Sequence, residues 1–171
     1  MSAEPAATDP QSSVSLDDFD GLYESFYQPV YRAVRAIVLD AALAEDVTQD
    51  AFFKAYRNRA QYRPYGSLGA WIHRIAVRQA ISAIRWRDLH HRLLSAVKLK
   101  SQQPVVDTSL GDLLRQLLQE VNPGTRAALI LHYYHGYRYR EVAAIMGIPE
   151  GTVATRIANG LRRMKRNLDA E

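Results

Sequence analysis

The stretch REVAAIMGIPEGTVATRIANGLRRMKRNL, Arg140 to Leu168, constrains the fold most. It holds two helical patterns separated by a break that leaves room only for a tight turn. The first pattern, about Tyr139 to Met146, stops at Gly147, which suits the left-handed position after a helix C-terminus. Ile148 can plug the gap between helices, and Pro149 prevents simple continuation. Gly151 or Thr152 then opens a longer helix. At about 100° per residue, Val153, Ile157, Gly160, Leu161, Met164 and Leu168 share one arc. Thr152, Thr155, Arg156, Asn159, Arg162, Arg163 and Arg166 occupy the other. Upstream, Asn122 can cap a helix that starts at Pro123. That helix carries Ala127, Ala128, Ile130, Leu131 and Tyr134 and ends near Gly136.

Two helices crossing steeply, the second with short hydrogen-bonding groups at its start and arginines after them, make a helix-turn-helix. Such N-terminal side chains reach base edges in the major groove, and the arginines hold phosphates. The alternative is a solvated basic face on an ordinary terminal helix. The glycine turn, the short preceding helix and the sorted face favour DNA.

Helical periodicity runs on from Leu16, with no alternating strand pattern and no internal repeat. The fold class is therefore all-α. The segment LLSAVKLKSQQPVVDTS, residues 93–109, has weak periodicity, a proline and small polar residues, and reads as a flexible linker. It divides the chain into two small helical domains, 16–92 and 110–171. Residues 1–15 are small, polar and proline-containing, and read as a disordered tail. They lack the basic-then-apolar pattern of a secretion signal. No run approaches the length of a membrane span, so no membrane insertion is expected. Apolar residues make up 47% of the chain, enough for a packed core, and the formal charge of +4 favours a polyanionic partner. There is no cysteine, which excludes disulfides and thiol chemistry and fits a cytoplasmic location.

In the first domain, LAEDVTQDAFFKAYR (Leu43 to Arg57) puts Val47, Ala51, Phe52, Ala55 and Tyr56 on one side. Asp46, Gln49, Asp50, Phe53 and Arg57 fall on the other. Phe53 is thus either an exposed interface anchor among charges or a side chain packed on a neighbouring helix of its own domain. Both readings stand on pattern alone. Next comes YRPYGSLGAWIHRIAVRQAISAIRWR, Tyr62 to Arg87. Tyr62 and Tyr65 flank a Pro-Gly loop, and Ser67 can cap the helix that follows. Trp71, Arg74, Arg78, Ser82 and Arg85 share one side of it; Ile72, Ala76, Ala80 and Ile84 share another. Arginines beside an aromatic loop suit unpaired nucleic acid, whose bases stack on rings while its phosphates meet the charges. A surface arginine stripe beside core aromatics is the plainer reading of that helix alone.

Together the two domains resemble the extracytoplasmic-function (group IV) sigma factors of bacterial RNA polymerase, over nearly the whole chain from about Phe19. YQPVYRAVR, AEDVTQDAFFKAYR and GSLGAWIHRIAVRQAISAIR match the family's promoter-melting domain, region 2. NPGTRAALILHYYHGYRYREVAAIMGIPEGTVATRIANGLRRMKR matches its minus-35-binding domain, region 4. The resemblance implies that Asp46, Gln49, Asp50, Phe53 and Arg57 face core polymerase, at the beta-prime clamp, while the second domain meets the beta flap. It implies that Tyr62, Tyr65, Ser67, Trp71, Arg74, Arg78, Ser82 and Arg85 meet the opened minus-10 strand, with a flipped base captured in a pocket. Thr152, Thr155, Arg156, Asn159, Arg162, Arg163 and Arg166 would serve minus-35 DNA. The linker would lie along the channel toward RNA exit, and an anti-sigma factor would hold the protein inactive. The free factor could mask its DNA surfaces by packing its domains together.

The chain departs from the family pattern in places. Arg78 and Ser82 stand where many members have asparagine and aspartate, and Gly69 replaces a common arginine, which leaves the minus-10 base preference open. Arg138 replaces the usual Ser or Thr cap of the first helix-turn-helix helix, a loss of about 1 kcal/mol. NPGTR replaces a leucine-proline start. Neither a cofactor nor a metal site nor an enzymatic activity is expected. His132 and His135 share a helix face but lack the carboxylate of a zinc-protease motif, and His90 and His91 read as polar surface. The rival function is a helix-turn-helix repressor or activator that binds duplex DNA without polymerase. Nothing in the chain reads as the dimerisation helix that such a protein needs.

Overall fold

A computed structural model describes residues 15–63, 66–94 and 109–169. Tyr65, nearly all of the expected tail and residues 95–108 of the expected linker lie outside the described residues. Every regular element among the described residues is helical.

The first domain is a three-helix bundle. α1 (Phe19–Val38) starts at Asp18, whose carboxylate accepts from the Gly21 amide at 3.0 Å. α2 (Ala41–Arg57) starts at Asp40, which accepts from Leu43 at 2.9 Å. α3 (Leu68–Leu94) starts at Ser67, whose hydroxyl accepts from Ala70 at 3.1 Å. Each cap satisfies an amide that has no partner within its helix. Leu22, Phe26, Val30, Val34 and Ile37 of α1 meet Val47, Ala51 and Phe52 of α2 and Ile72, Ala76, Ala80 and Ile84 of α3 in one buried core.

The second domain holds α4 (Ser109–Gln119), α5 (Pro123–Leu129), α6 (Tyr139–Met146) and α7 (Glu150–Leu168). Asn122 caps α5 by accepting from Thr125 at 2.9 Å. A wide π-type turn, Ile130–Tyr134, prolongs α5 before Gly136 reverses the chain at φ 74°. Gly147 ends α6 at φ 67°, as its position before the turn predicts. α7 begins at Glu150, with Pro149 extended before it. That corrects the expected start at Gly151 or Thr152: proline's fixed φ already suits the residue ahead of a first helical turn. Leu93 and Ser109 are likewise helical rather than linker. The missing cap of α6 is partly restored. A guanidinium has no acceptor, but Glu141 reaches back and accepts from the Arg138 amide at 2.7 Å, the reciprocal half of a capping box.

Gly160 lets α7 cross α5 closely. A Cβ there would stand 2.6 Å from Cγ2 of Thr125 and 3.1 Å from Cδ1 of Leu129. Gly160→Ala is expected to lower stability by about 1 kcal/mol, since overpacking outweighs the gain in helix propensity. A thermal melt unchanged or raised by the substitution would contradict that close contact.

The domains pack against each other. On one side, Arg126 (8% exposed) donates to the Ile37 carbonyl at 2.7 Å, and Arg115 donates to the Leu39 carbonyl at 2.9 Å. Two cations thereby meet carbonyls at the C-terminus of α1, where the helix dipole favours positive charge. Arg32 donates to the Tyr134 hydroxyl at 3.0 Å. On the other side α6 lies along α3.

Candidate nucleic-acid interface

Three exposed faces carry the expected site residues. On α2, Asp46, Gln49, Asp50, Phe53 and Arg57 are all exposed, in one stripe of three- and four-residue steps. Phe53 is 58% exposed, yet its ring stacks on Phe19 with centroids 5.8 Å apart. Both readings of the residue therefore hold in part: one ring face leans on α1 and the other meets solvent. Phe19 is in turn braced edge-on by Tyr56 at 5.3 Å, so the exposed ring is presented by a fixed aromatic base.

On α3, Arg74, Arg78, Ser82 and Arg85 are exposed and follow the buried residues by helical spacing. Trp71 is half-buried and meets Tyr62 edge-on at 5.4 Å, and the Tyr62 hydroxyl donates to the Gly66 carbonyl at 2.9 Å. These bonds fix an aromatic step at the N-terminus of α3, beside the arginines. Ser67 is engaged as the cap of that helix.

On α7, Thr155, Asn159, Arg162, Arg163 and Arg166 are exposed, and Thr152 and Arg156 are half-buried. Thr155 turns its hydroxyl back to the Gly151 carbonyl at 2.9 Å. The Arg156 guanidinium folds over Gly124, where a Cβ would stand 2.6 Å from Nη1. Thr152, Thr155, Arg156 and Asn159 line a polar cleft of about 320 Å³ against the start of α5. Arg163 approaches Glu120 at 3.8 Å, both exposed, a pair worth little in water. The apolar arc of α7 is narrower than the wheel implies. Val153, Ile157 and Gly160 are buried, whereas Leu161 is 42% and Leu168 47% exposed.

The three faces are not joined into one surface. The α3 face abuts α6: the Arg78 guanidinium lies against Gly147, where a Cβ would stand 2.7 Å from Nη2. Beside it sits a polar cluster that sequence pattern did not reveal. His73 is 3% exposed, its Nδ1 bonds the Gly69 carbonyl at 2.8 Å, and the Tyr137 hydroxyl stands 3.2 Å from the same nitrogen. The His135 ring is edge-on to His73 at 4.5 Å. Nε2 of both histidines is buried without a hydrogen-bond partner. Burial holds His73 below the ordinary histidine range. Burial and then the neighbouring His73 bring His135 to about 4, and burial pushes the Tyr137 phenol up to about 12. Both imidazoles are thus neutral near pH 7. Arg115 and Arg126, which tie the domains on the opposite side, were not expected either. The one available signal was Arg126 embedded among apolar residues in TRAALIL, a charge where the helix turns inward.

No helix among the described residues is long and apolar enough to cross a membrane. A family model described as "Sigma-70 region 2" matches residues 22–89, and one described as "Sigma-70, region 4" matches residues 111–164. The ECF RNA polymerase sigma factor SigE of Mycolicibacterium smegmatis is 28% identical over 159 residues, covering 88% of this chain and 62% of its own length. The ECF RNA polymerase sigma factor SigM of Mycobacterium tuberculosis is 27% identical over 152 residues, covering 88% and 76%. Among solved structures, the sigma factor RpoE from Bartonella quintana, in complex with the anti-sigma factor NepR, superposes with a TM-score of 0.75. It is 23% identical and covers 91% of this chain and 99% of that one. CnrH, in complex with the cytosolic domain of CnrY, superposes with a TM-score of 0.66 at 22% identity, covering 90% and 88%.

Proposed function

We propose, since this chain belongs to the extracytoplasmic-function family of sigma factors, that it binds core RNA polymerase, carries it to a promoter and helps open the DNA. The observation that carries the reading is Phe53. It is a large ring, 58% exposed, held by Phe19 at the centre of a charged stripe. Such an anchor among charges suits a protein–protein interface, the kind that docking on a polymerase core requires.

Asp46, Gln49, Asp50, Phe53 and Arg57 dock on the beta-prime clamp, and the second domain meets the beta flap. Tyr62, Trp71 and the α3 arginines, with Tyr65 and Ser67, hold the separated minus-10 strand. Rings take unpaired bases and guanidinium groups take phosphates. Thr152, Thr155, Arg156 and Asn159 enter the minus-35 major groove, and Arg162, Arg163 and Arg166 grip its backbone. Two modest DNA surfaces on one chain gain by effective concentration, so neither need bind tightly alone. The protein has no enzymatic role of its own and works in the cytoplasm, where polymerase is. An anti-sigma factor restrains it, a reading that the complex of one structural relative with the anti-sigma factor NepR supports. The domain packing supports crowding of the α3 face by α6 in the free protein, because the Arg78 guanidinium lies against Gly147 while its side chain stays exposed, and Tyr137 stands beside His73.

The test is gel filtration of the protein with bacterial core polymerase, wild type beside Phe53→Ala. Stoichiometric co-elution is expected, weakened at least tenfold in affinity by the substitution. No association, together with tight duplex binding by the free protein, would favour the repressor instead.

A further inference from the structure

Between the C-terminal half of α1 and the start of the second domain lies a groove of about 340 Å³, within the size range of small-molecule sites. Its walls come from both domains. Ala36 of α1 and Leu39, which caps its C-terminus, face Leu114 and Leu118 of α4 and Ile130 of the π turn, so the floor is apolar. Leu114 remains 49% exposed although the domains are packed. The charged groups of the wall are Arg32, Arg35 and Arg115, and no carboxylate lines it among the described residues. Arg32 is engaged with Tyr134. Arg115 spends one nitrogen on the Leu39 carbonyl, but its Nε is buried without a partner. Arg35 forms no ion pair among the described residues. Asp40, just past this end of α1, caps α2 with one oxygen and stands 3.8 Å from Arg87 with the other.

An apolar trough rimmed by cations, one carrying an orphaned buried N–H, matches a molecule with an alkyl tail and an anionic head. The tail removes Leu114 and Ile130 from water. The head accepts charge-assisted bonds from Arg115 and Arg35. We propose that this groove is a binding site for an alkyl-chain carboxylate, which binds only the packed arrangement of the two domains.

The second half follows from the walls. A ligand that needs both of them cannot bind once the domains part. At about a hundred times its dissociation constant it multiplies the ratio of packed to separated forms about a hundredfold. If the proposed function holds, the packed form is the one with α6 set against the α3 face, and the ligand acts as a repressor of initiation. Binding itself does not depend on that reading, so its measurement without polymerase or DNA separates the two.

The experiment is isothermal calorimetry of the full chain with decanoate, kept below its micellar range, beside decyltrimethylammonium. Expected are saturable one-to-one binding of decanoate, a melting temperature that rises with its concentration, and no binding of the cationic analogue. Arg35→Glu reverses a rim charge, and Ala36→Phe fills the trough; each is expected to weaken binding at least tenfold while the free protein keeps its helical circular dichroism. Absence of saturable binding, equal binding of the cationic analogue, or wild-type affinity in both variants would overturn the proposal. So would binding of an acidic leucine–glutamate helical peptide in the groove with no heat from decanoate, which would make it a protein-docking surface.

Discussion

Arg126→Ala is expected to loosen the two domains from each other, weakening the packed form by about 3 kcal/mol. Arg126 is 8% exposed, and its bond to the Ile37 carbonyl is 2.7 Å long. A hydrogen bond from a charged donor contributes about 1.5–3 kcal/mol, and its loss leaves a buried carbonyl unpaired. Removing the side-chain stem adds a cavity. The affected carbonyl lies in the last turn of α1, where no intrahelical amide replaces the guanidinium. Arg115 on Leu39 and Arg32 on the Tyr134 hydroxyl remain on that side. Small-angle scattering should therefore show a larger radius of gyration, with helical circular dichroism retained because the separate helices lose nothing internal. Arg126→Lys should fall between, keeping the charge without the fork geometry. An unchanged radius and an unchanged melt would show that apolar contact alone keeps the domains together.

How much of this was legible beforehand depends on what fixes each feature. The α6 boundaries, Gly147 and the Asn122 cap were readable because local chemistry decides them: left-handed backbone wants glycine, and an asparagine oxygen suits a free amide. The sides of α2 and α3 were readable because periodicity sorts them, and the stripe from Asp46 to Arg57 is exposed as the wheel implies. Pattern could not say how the domains meet. Phe53 looked ambiguous because its support, Phe19, is 34 positions away in the chain. Arg126 and His73 look like surface residues by type, yet both are buried, Arg126 with its guanidinium on a carbonyl of the other domain. The π turn after Leu129 shifts the helical phase, so the shared face of His132 and His135 does not survive. His132 bonds the Tyr137 carbonyl at 2.8 Å while His135 turns to His73.

Acidification is expected to separate the domains, because the seam holds two neutral imidazoles face to edge at 4.5 Å. The sign follows from the direction in which packing moves both rings. His135 is brought down to about 4 by burial and by His73, and His73 is held below its usual value by burial. With the domains apart, His135 loses its contact with His73 and returns toward the ordinary value near 6.5, and His73 moves the same way as its Tyr137 and His135 neighbours leave. The separated form then binds protons that the packed form resists. Packing is at full strength above about pH 6.5 and weakens as pH falls toward 4. Backbone hydrogen bonds with Gly69 and Pro29 favour the charged form of His73 and offset part of this, but burial outweighs them. Tyr137 is neutral with its phenol raised to about 12, Ser67 beside it is uncharged, and the carboxylate felt at Tyr137 is Glu141 on α6, which caps the Arg138 amide instead. A tenfold loss of proton affinity on packing corresponds to at most about 1.4 kcal/mol. With His135 only partly buried, its own shift should cost the packed form at most about 2 kcal/mol by pH 5, and His73 adds a cost of the same sign. Scattering at pH 8, 6.5 and 5 reads the effect directly, and His135→Gln should flatten the profile by removing one of the two titrating groups. A radius that shrinks on acidification would mean that the imidazoles gain a partner when protonated, and the neutral pair would not be what the seam requires.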